Sequence, residues 1–242
     1  MTEKNASPIE SIRRVDEITV DVRDQLESSL SVFGVSVDVV DVERPAALIQ
    51  AIGQVGEEPP TSVLRELTTA VGFLEGYLRL REFLLGTGYE TARERDSSLL
   101  ASDYLHAAAY RALEESTLPP ERTVACYRHL ITGSTALAER LHTDAQDPPD
   151  ERPGPRATLV GTAGALGATA AGLEADVADA ARTYGESVAA AADLAAERGD
   201  VDSLTGALTD TSEPRSADDP LEAMPDGPGR ECLETAAWAL DE

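Results

Sequence analysis

The chain has 242 residues, 45 of them Asp or Glu against 20 Lys or Arg, which leaves a net charge of −25 at neutral pH. That balance works against nucleic-acid phosphates and anionic membrane surfaces as partners, and an aromatic content of 4% leaves little for base stacking. The length suits one helical domain with a single core, and two cysteines, Cys126 and Cys232, are too few for a disulfide framework and fit a reducing compartment.

Lys4 is the only lysine. An acidic surface with arginine in place of lysine suggests a halophile's cytoplasm, where salt screens the repulsion. The first eleven residues lack the apolar core of a signal peptide, and no stretch reaches the hydrophobicity of a membrane span. A soluble, cytoplasmic protein is the expectation.

Ser7, Pro8, Ile9 and Glu10 form a capping box with proline at the first helical position, so a helix should begin there. Ile12, Val15, Ile18, Val22 and Leu26 repeat at helical spacing, and Gly34 offers a stop. Residues 35–43 alternate like a strand, although a loop leading into a helix at Arg44-Pro45 is the alternative. Pro59-Pro60 opens the next helix, over 61–85, whose apolar residues cover most of its circumference and predict a central position. A helical block follows at 96–113, and Pro119-Pro120 starts another that runs to about 141.

Residues 142–155 are polar and rich in proline, so an exposed, flexible loop is expected. Residues 157–173 carry no charge and contain Gly161, Gly164, Gly167 and Gly172, small enough for neighbouring backbones to approach closely. An alanine-rich helix restarts at Asp176 and should end at Gly199. Residues 209–229 have the composition of a flexible segment, and 230–240, with Cys232, Leu233, Ala236, Trp238 and Leu240, can close the chain as an amphipathic helix.

Several of these stretches together resemble the trans-isoprenyl diphosphate synthases, the polyprenyl synthetase family. Ala165 to Gly172 resemble its small-residue helix, and Tyr184-Gly185 its Tyr-Gly at the proper interval. Leu99, Leu100, Ala101, Asp103, Tyr104, Leu105 and Leu113 match a Leu-Leu-Ala-Gly-Asp-Tyr-Leu block in which Ser102 replaces the glycine. Arg44-Pro45 resembles the end of a diphosphate-binding motif, with Asp41 in the place of its lysine. The resemblance implies an all-α, single-domain bundle over 1–242, shortened at the C-terminal end, where the family's last third has no visible counterpart. It also implies a homodimer, or a heterodimer with a catalytic synthase subunit.

The chemistry of the family needs about three magnesium ions held between two aspartate-rich motifs, because only metals and basic groups can stabilise the departing diphosphate. Where the resemblance places the first motif, the chain reads Arg81-Glu82-Phe83-Leu84-Leu85; where it places the second, Ala196-Glu197-Arg198-Gly199-Asp200. Glu197 and Asp200 are the remaining metal candidates, and a charged helix end is the plainer reading of both. Asp103 and Arg44 are the candidates for residual ligand contacts. A core hydrogen bond to a neighbouring helix or to an arginine such as Arg111, and a surface ion pair, are their plainer readings.

Cys126 and His129 share a helix face but lack the further ligands a zinc site needs, so ordinary packing explains them better. The expectation is an impaired synthase homologue without a cofactor that binds a protein partner or a prenyl-like ligand. The alternative is an active, magnesium-dependent prenyltransferase with altered metal ligands. A helical protein whose alanine-rich hairpin only imitates the family is the third possibility.

Overall fold

The computed structural model describes residues 8–36, 42–86, 91–114, 116–144 and 154–198, and everything below concerns these. They form seven helices: α1 (Pro8–Ser31), α2 (Glu43–Gly53), α3 (Thr61–Leu85), α4 (Ala92–Glu114), α5 (Pro120–Asp144), α6 (Pro155–Ala170) and α7 (Ala175–Arg198). No strand occurs among the described residues. The predicted all-α class is therefore observed. Of the stretch that alternates like a strand, Val35 and Ser36 lie outside regular structure and 37–41 lie outside the described residues.

In α1 the helical repeat buries Ile18, Val22, Leu26 and Leu30, while Ile12 at the helix start remains exposed. The predicted stop is real. Gly34 takes φ +65°, a left-handed conformation that glycine adopts without a side-chain penalty. Val42, just before α2, is fully buried beside Val22, and both press on Gly72 of α3. Packing against the bundle, not a sheet partner, absorbs this apolar residue.

Helix α3 is the centre. Every residue from Leu67 to Leu78 is buried, because α4, α6, α1 and α2 all pack around it. The near-continuous apolar circumference read from the sequence has this cause. Helices α4 and α5 follow the predicted spans, with α5 three residues longer than expected. His142 to Asp144 complete its last turn and Pro155 begins α6, so the expected loop is shorter at both ends. Its central part, 145–153, lies outside the described residues.

Helix α6 is buried on all sides from Ala157 to Ala170. Its glycines are points of backbone contact. A Cβ on Gly164 would meet the Ala181 carbonyl of α7, and one on Gly167 would lie 3.1 Å from the Ile49 backbone of α2. Across the seam, Gly185 of α7 faces the Val160 carbonyl, 2.7 Å from where its Cβ would be.

The helix ends in a Schellman motif. Gly172 takes φ +72°, Leu173 N–H donates to the Ala168 carbonyl at 3.0 Å, and Gly172 N–H donates to the Thr169 carbonyl at 3.1 Å. Arg122 of α5 covers this end, donating to the Ala170 carbonyl at 3.1 Å and to Glu57 at 2.7 Å.

Candidate functional site

The end of α3 and the middle of α4 are joined by charge and aromatic contacts. Arg81 donates to Asp103 at 2.5 Å, and its guanidinium lies 5.4 Å from the centre of the Tyr77 ring. His106 packs on Tyr77 at 5.1 Å and edge-on to Tyr110 at 5.3 Å. Burial holds His106 below the usual imidazole range, with Asp103 opposing and Arg81 adding to the effect.

Asp103 corrects one expectation. Its partner does lie on a neighbouring helix, Arg81 of α3 rather than Arg111, but its side chain is 60% exposed, so the hydrogen bond is not a core one. Arg111 instead donates to the Tyr104 hydroxyl at 3.2 Å. That hydrogen bond holds the Tyr104 phenol below its usual range, against desolvation and with help from Ser29. The helix face explains the difference. Asp103 and Leu100 point outward, whereas Ala101, Ser102 and Leu105 turn to the core.

A cleft of about 400 Å³ opens between α1, α3 and α4. Thr69, Phe73, Ala108 and Ala112 contribute to its lining, with Asp24, Gln25, Ser28, Ser29 and Arg111 adding polar groups. Its lining sets one carboxylate and one guanidinium beside apolar side chains, so its formal charges cancel. This cleft was not foreseen, because residues from three helices far apart in sequence line it. Tyr184, by contrast, is buried in a second apolar cluster formed by α2, α6 and α7.

Arg44 is half-buried at the start of α2, next to Glu43, which accepts a hydrogen bond from Arg23 at 3.0 Å. Glu197 falls in the last turn of α7, where only the backbone is described, and Asp200 lies outside the described residues. The capping serine, Ser7, the segment 209–229 and the amphipathic stretch 230–240 also lie outside them.

A polar junction escaped the sequence reading altogether. Arg182 of α7 donates to His129 Nδ1 of α5 at 3.1 Å and to the buried Thr162 hydroxyl of α6 at 3.4 Å. Burial first, and then Arg182, keeps His129 below its ordinary range. Glu186, whose Cγ would touch a Cβ on Gly161, is pushed up by burial. Cys126, one turn before His129, is fully buried, and its thiol is pushed up to about 12, so it is an inert core residue.

The magnesium ions that the resemblance implies find few ligands among the described residues, and the candidates Glu197 and Asp200 fall where no side chain is described. Among the described residues, no group of three or more His, Cys, Asp or Glu side chains could hold a metal. At the end of α3 a guanidinium already occupies the carboxylate of Asp103, so a divalent cation there would meet a fixed positive charge.

The seven described helices take the fold of trans-prenyl diphosphate synthases. A geranylgeranyl pyrophosphate synthetase from the archaeon Geoglobus acetivorans superposes with a TM-score of 0.61 at 15% identity, over 99% of this chain and 100% of that one. A geranylgeranyl pyrophosphate synthase from Corynebacterium glutamicum gives 0.60 at 17% identity, over 99% and 95%. The geranyl diphosphate synthase small subunit from Antirrhinum majus gives 0.61 at 14% identity, over 94% and 98%. No family model matches the chain, and no curated protein matches its sequence. The likeness therefore extends from the alanine-rich hairpin to the arrangement of all seven described helices. No helix among the described residues is long and apolar enough to cross a membrane.

Proposed function

We propose that this chain is a catalytically impaired homologue of the isoprenyl diphosphate synthases, acting as a regulatory or partner-binding subunit in isoprenoid biosynthesis. The observation that carries the reading is Arg81 paired with Asp103 at the end of α3. A synthase of this fold would need carboxylates free to share magnesium there, and this chain offers a salt bridge instead.

Two further features support a binding role. The cleft between α1, α3 and α4 offers Phe73, Ala108 and Ala112 to a prenyl-like ligand, and in this reading Arg44 and Asp103 would keep residual ligand contacts elsewhere. Val124 and Ile131, seven residues apart on α5 and both about half exposed, give an apolar strip on which a homodimer or a catalytic synthase subunit can pack. One of the structures with this fold is itself named a small subunit.

The test is turnover of isopentenyl and allylic diphosphates with magnesium, at high salt because a chain of charge −25 repels itself in dilute buffer. The expected outcome is no product from the chain alone, together with a changed rate or product length when it is added to a synthase recovered with it from the same cells. Robust product formation by the chain alone overturns the reading in favour of an active prenyltransferase with altered metal ligands.

A further inference from the structure

The cleft between α1, α3 and α4 has a floor of buried side chains, Thr69 and Phe73 from α3 with Ala108 and Ala112 from α4. Its rim is exposed and polar, with Asp24 and Ser28 from α1 and Arg111 from α4. The volume, about 400 Å³, lies at the small end of the range for ligand cavities, roughly 300–1,000 Å³. That space suits a short apolar chain.

Thr69 is the floor residue that calls for an explanation. It is only 6% exposed, and its hydroxyl has no hydrogen-bond partner among the described residues. Its neighbour Thr68 meets the same need in the usual way, donating to the Leu64 carbonyl one turn earlier at 2.8 Å. A buried hydroxyl without a partner is costly, so a group that enters the cleft and hydrogen-bonds to it is held there. Phe73, one turn further along α3, and Ala108 and Ala112 of α4 line the cleft beside that polar atom with apolar surface.

The rim decides the charge of the occupant. Asp24 and Arg111 cancel, and the Arg111 guanidinium already donates to the Tyr104 hydroxyl at 3.2 Å. A diphosphate brings several negative charges and needs several cationic groups or metal ions around it. Here it would meet one shared guanidinium, one carboxylate and a chain of charge −25. Building on the reading of this cleft as a site for a prenyl-like ligand, we propose that it takes an uncharged isoprenoid alcohol of roughly two isoprene units. The hydroxyl of the alcohol hydrogen-bonds to Thr69, and its chain lies on Phe73, Ala108 and Ala112.

Calorimetric titration of the full chain with geraniol and with geranyl diphosphate, at high salt, provides the test. Geraniol should bind one site at least tenfold more tightly than geranyl diphosphate, with or without magnesium. Thr69→Val keeps the shape of the side chain and removes only the hydroxyl. It should weaken geraniol about fivefold, the worth of one neutral hydrogen bond, while thermal unfolding stays unchanged. Ser28→Trp, at an exposed rim position, should fill the cleft mouth and abolish binding. Asp24→Arg, also on the exposed rim, should raise the affinity for geranyl diphosphate about tenfold and leave geraniol unaffected.

No binding of geraniol, binding that Thr69→Val and Ser28→Trp leave untouched, or tighter binding of the diphosphate would each overturn the proposal, and the impaired-synthase reading would survive all three. Product formation from geranyl and isopentenyl diphosphates would overturn that reading instead, and the choice between alcohol and diphosphate would still be decided by the titration.

Discussion

The α3–α4 and α6–α7 pairs are both tight antiparallel packings, yet they are built from opposite materials. Between α3 and α4 the contact is made by Tyr77, Leu78, Leu105 and His106, large side chains that interlock. Between α6 and α7 it is made by Gly161, Gly164, Ala181 and Gly185, where backbone approaches backbone. A side-chain seam can accommodate a change by moving a methyl group. A backbone seam has nothing to move. Small residues across α6 and α7 are required by the geometry, whereas the end of α3 has room for long side chains such as Arg81, which lies over Tyr77 and reaches Asp103.

The largest expected effect lies in the side-chain seam. Leu105 is fully buried, and Leu105→Ala should destabilise the protein by about 2–5 kcal/mol in chemical denaturation, through lost burial and the cavity left behind. A loss under 1 kcal/mol would mean that the seam collapses around the gap and is not the rigid contact described.

The comparison is sharpest when the same substitution is made on each side. Gly164→Ala forces its methyl onto the Ala181 carbonyl and should cost about 1–3 kcal/mol. Gly76→Ala meets only the methyl ends of Leu105 and Leu26, at 2.8 and 2.9 Å, which can turn aside. There, a helix gain of about 0.5–1 kcal/mol offsets the crowding and leaves the variant near neutral. Equal losses in thermal unfolding would erase the distinction between the two seams.

The smallest effect concerns the junction of α5, α6 and α7. His129 is kept neutral by burial and by Arg182, while the unfolded chain takes up the proton near pH ~6.5. Below that pH the unfolded state binds more protons, so stability should fall as pH drops from about 6.5. His129→Gln should flatten this slope, as seen in unfolding midpoints between pH 7 and 5.5. Glu186 acts with the opposite sign and lower on the scale. Its raised affinity for a proton makes acidification towards the ordinary carboxyl range stabilising, so it does not imitate the histidine effect.

Much of the fold was legible. The boundaries of α3, the stop at Gly34 and the burial of α6 follow from local chemistry: proline at a helix start, glycine at a helix end and a charge-free run of small residues. Gly172, read as a point of close approach, is instead the left-handed end of α6, and the expected cap at Gly199 lies outside the described residues. The candidate site was legible only in part. Asp103 stood out as a charge among apolar residues, but its partner Arg81 lies 22 positions away, and nothing local ranks it above Arg111. His129 drew attention through nearby Cys126, whereas its actual partner, Arg182, lies 53 positions away.

Local sequence therefore determined which segments are helical, where they stop and which residues must be hidden, because helix propensity, capping and hydrophobic burial act over a few residues at a time. Tertiary structure alone decided which charges meet and where the cleft opens between α1, α3 and α4. Those outcomes depend on the register between helices, and that register is set by the summed packing of the whole core rather than by any one stretch of chain.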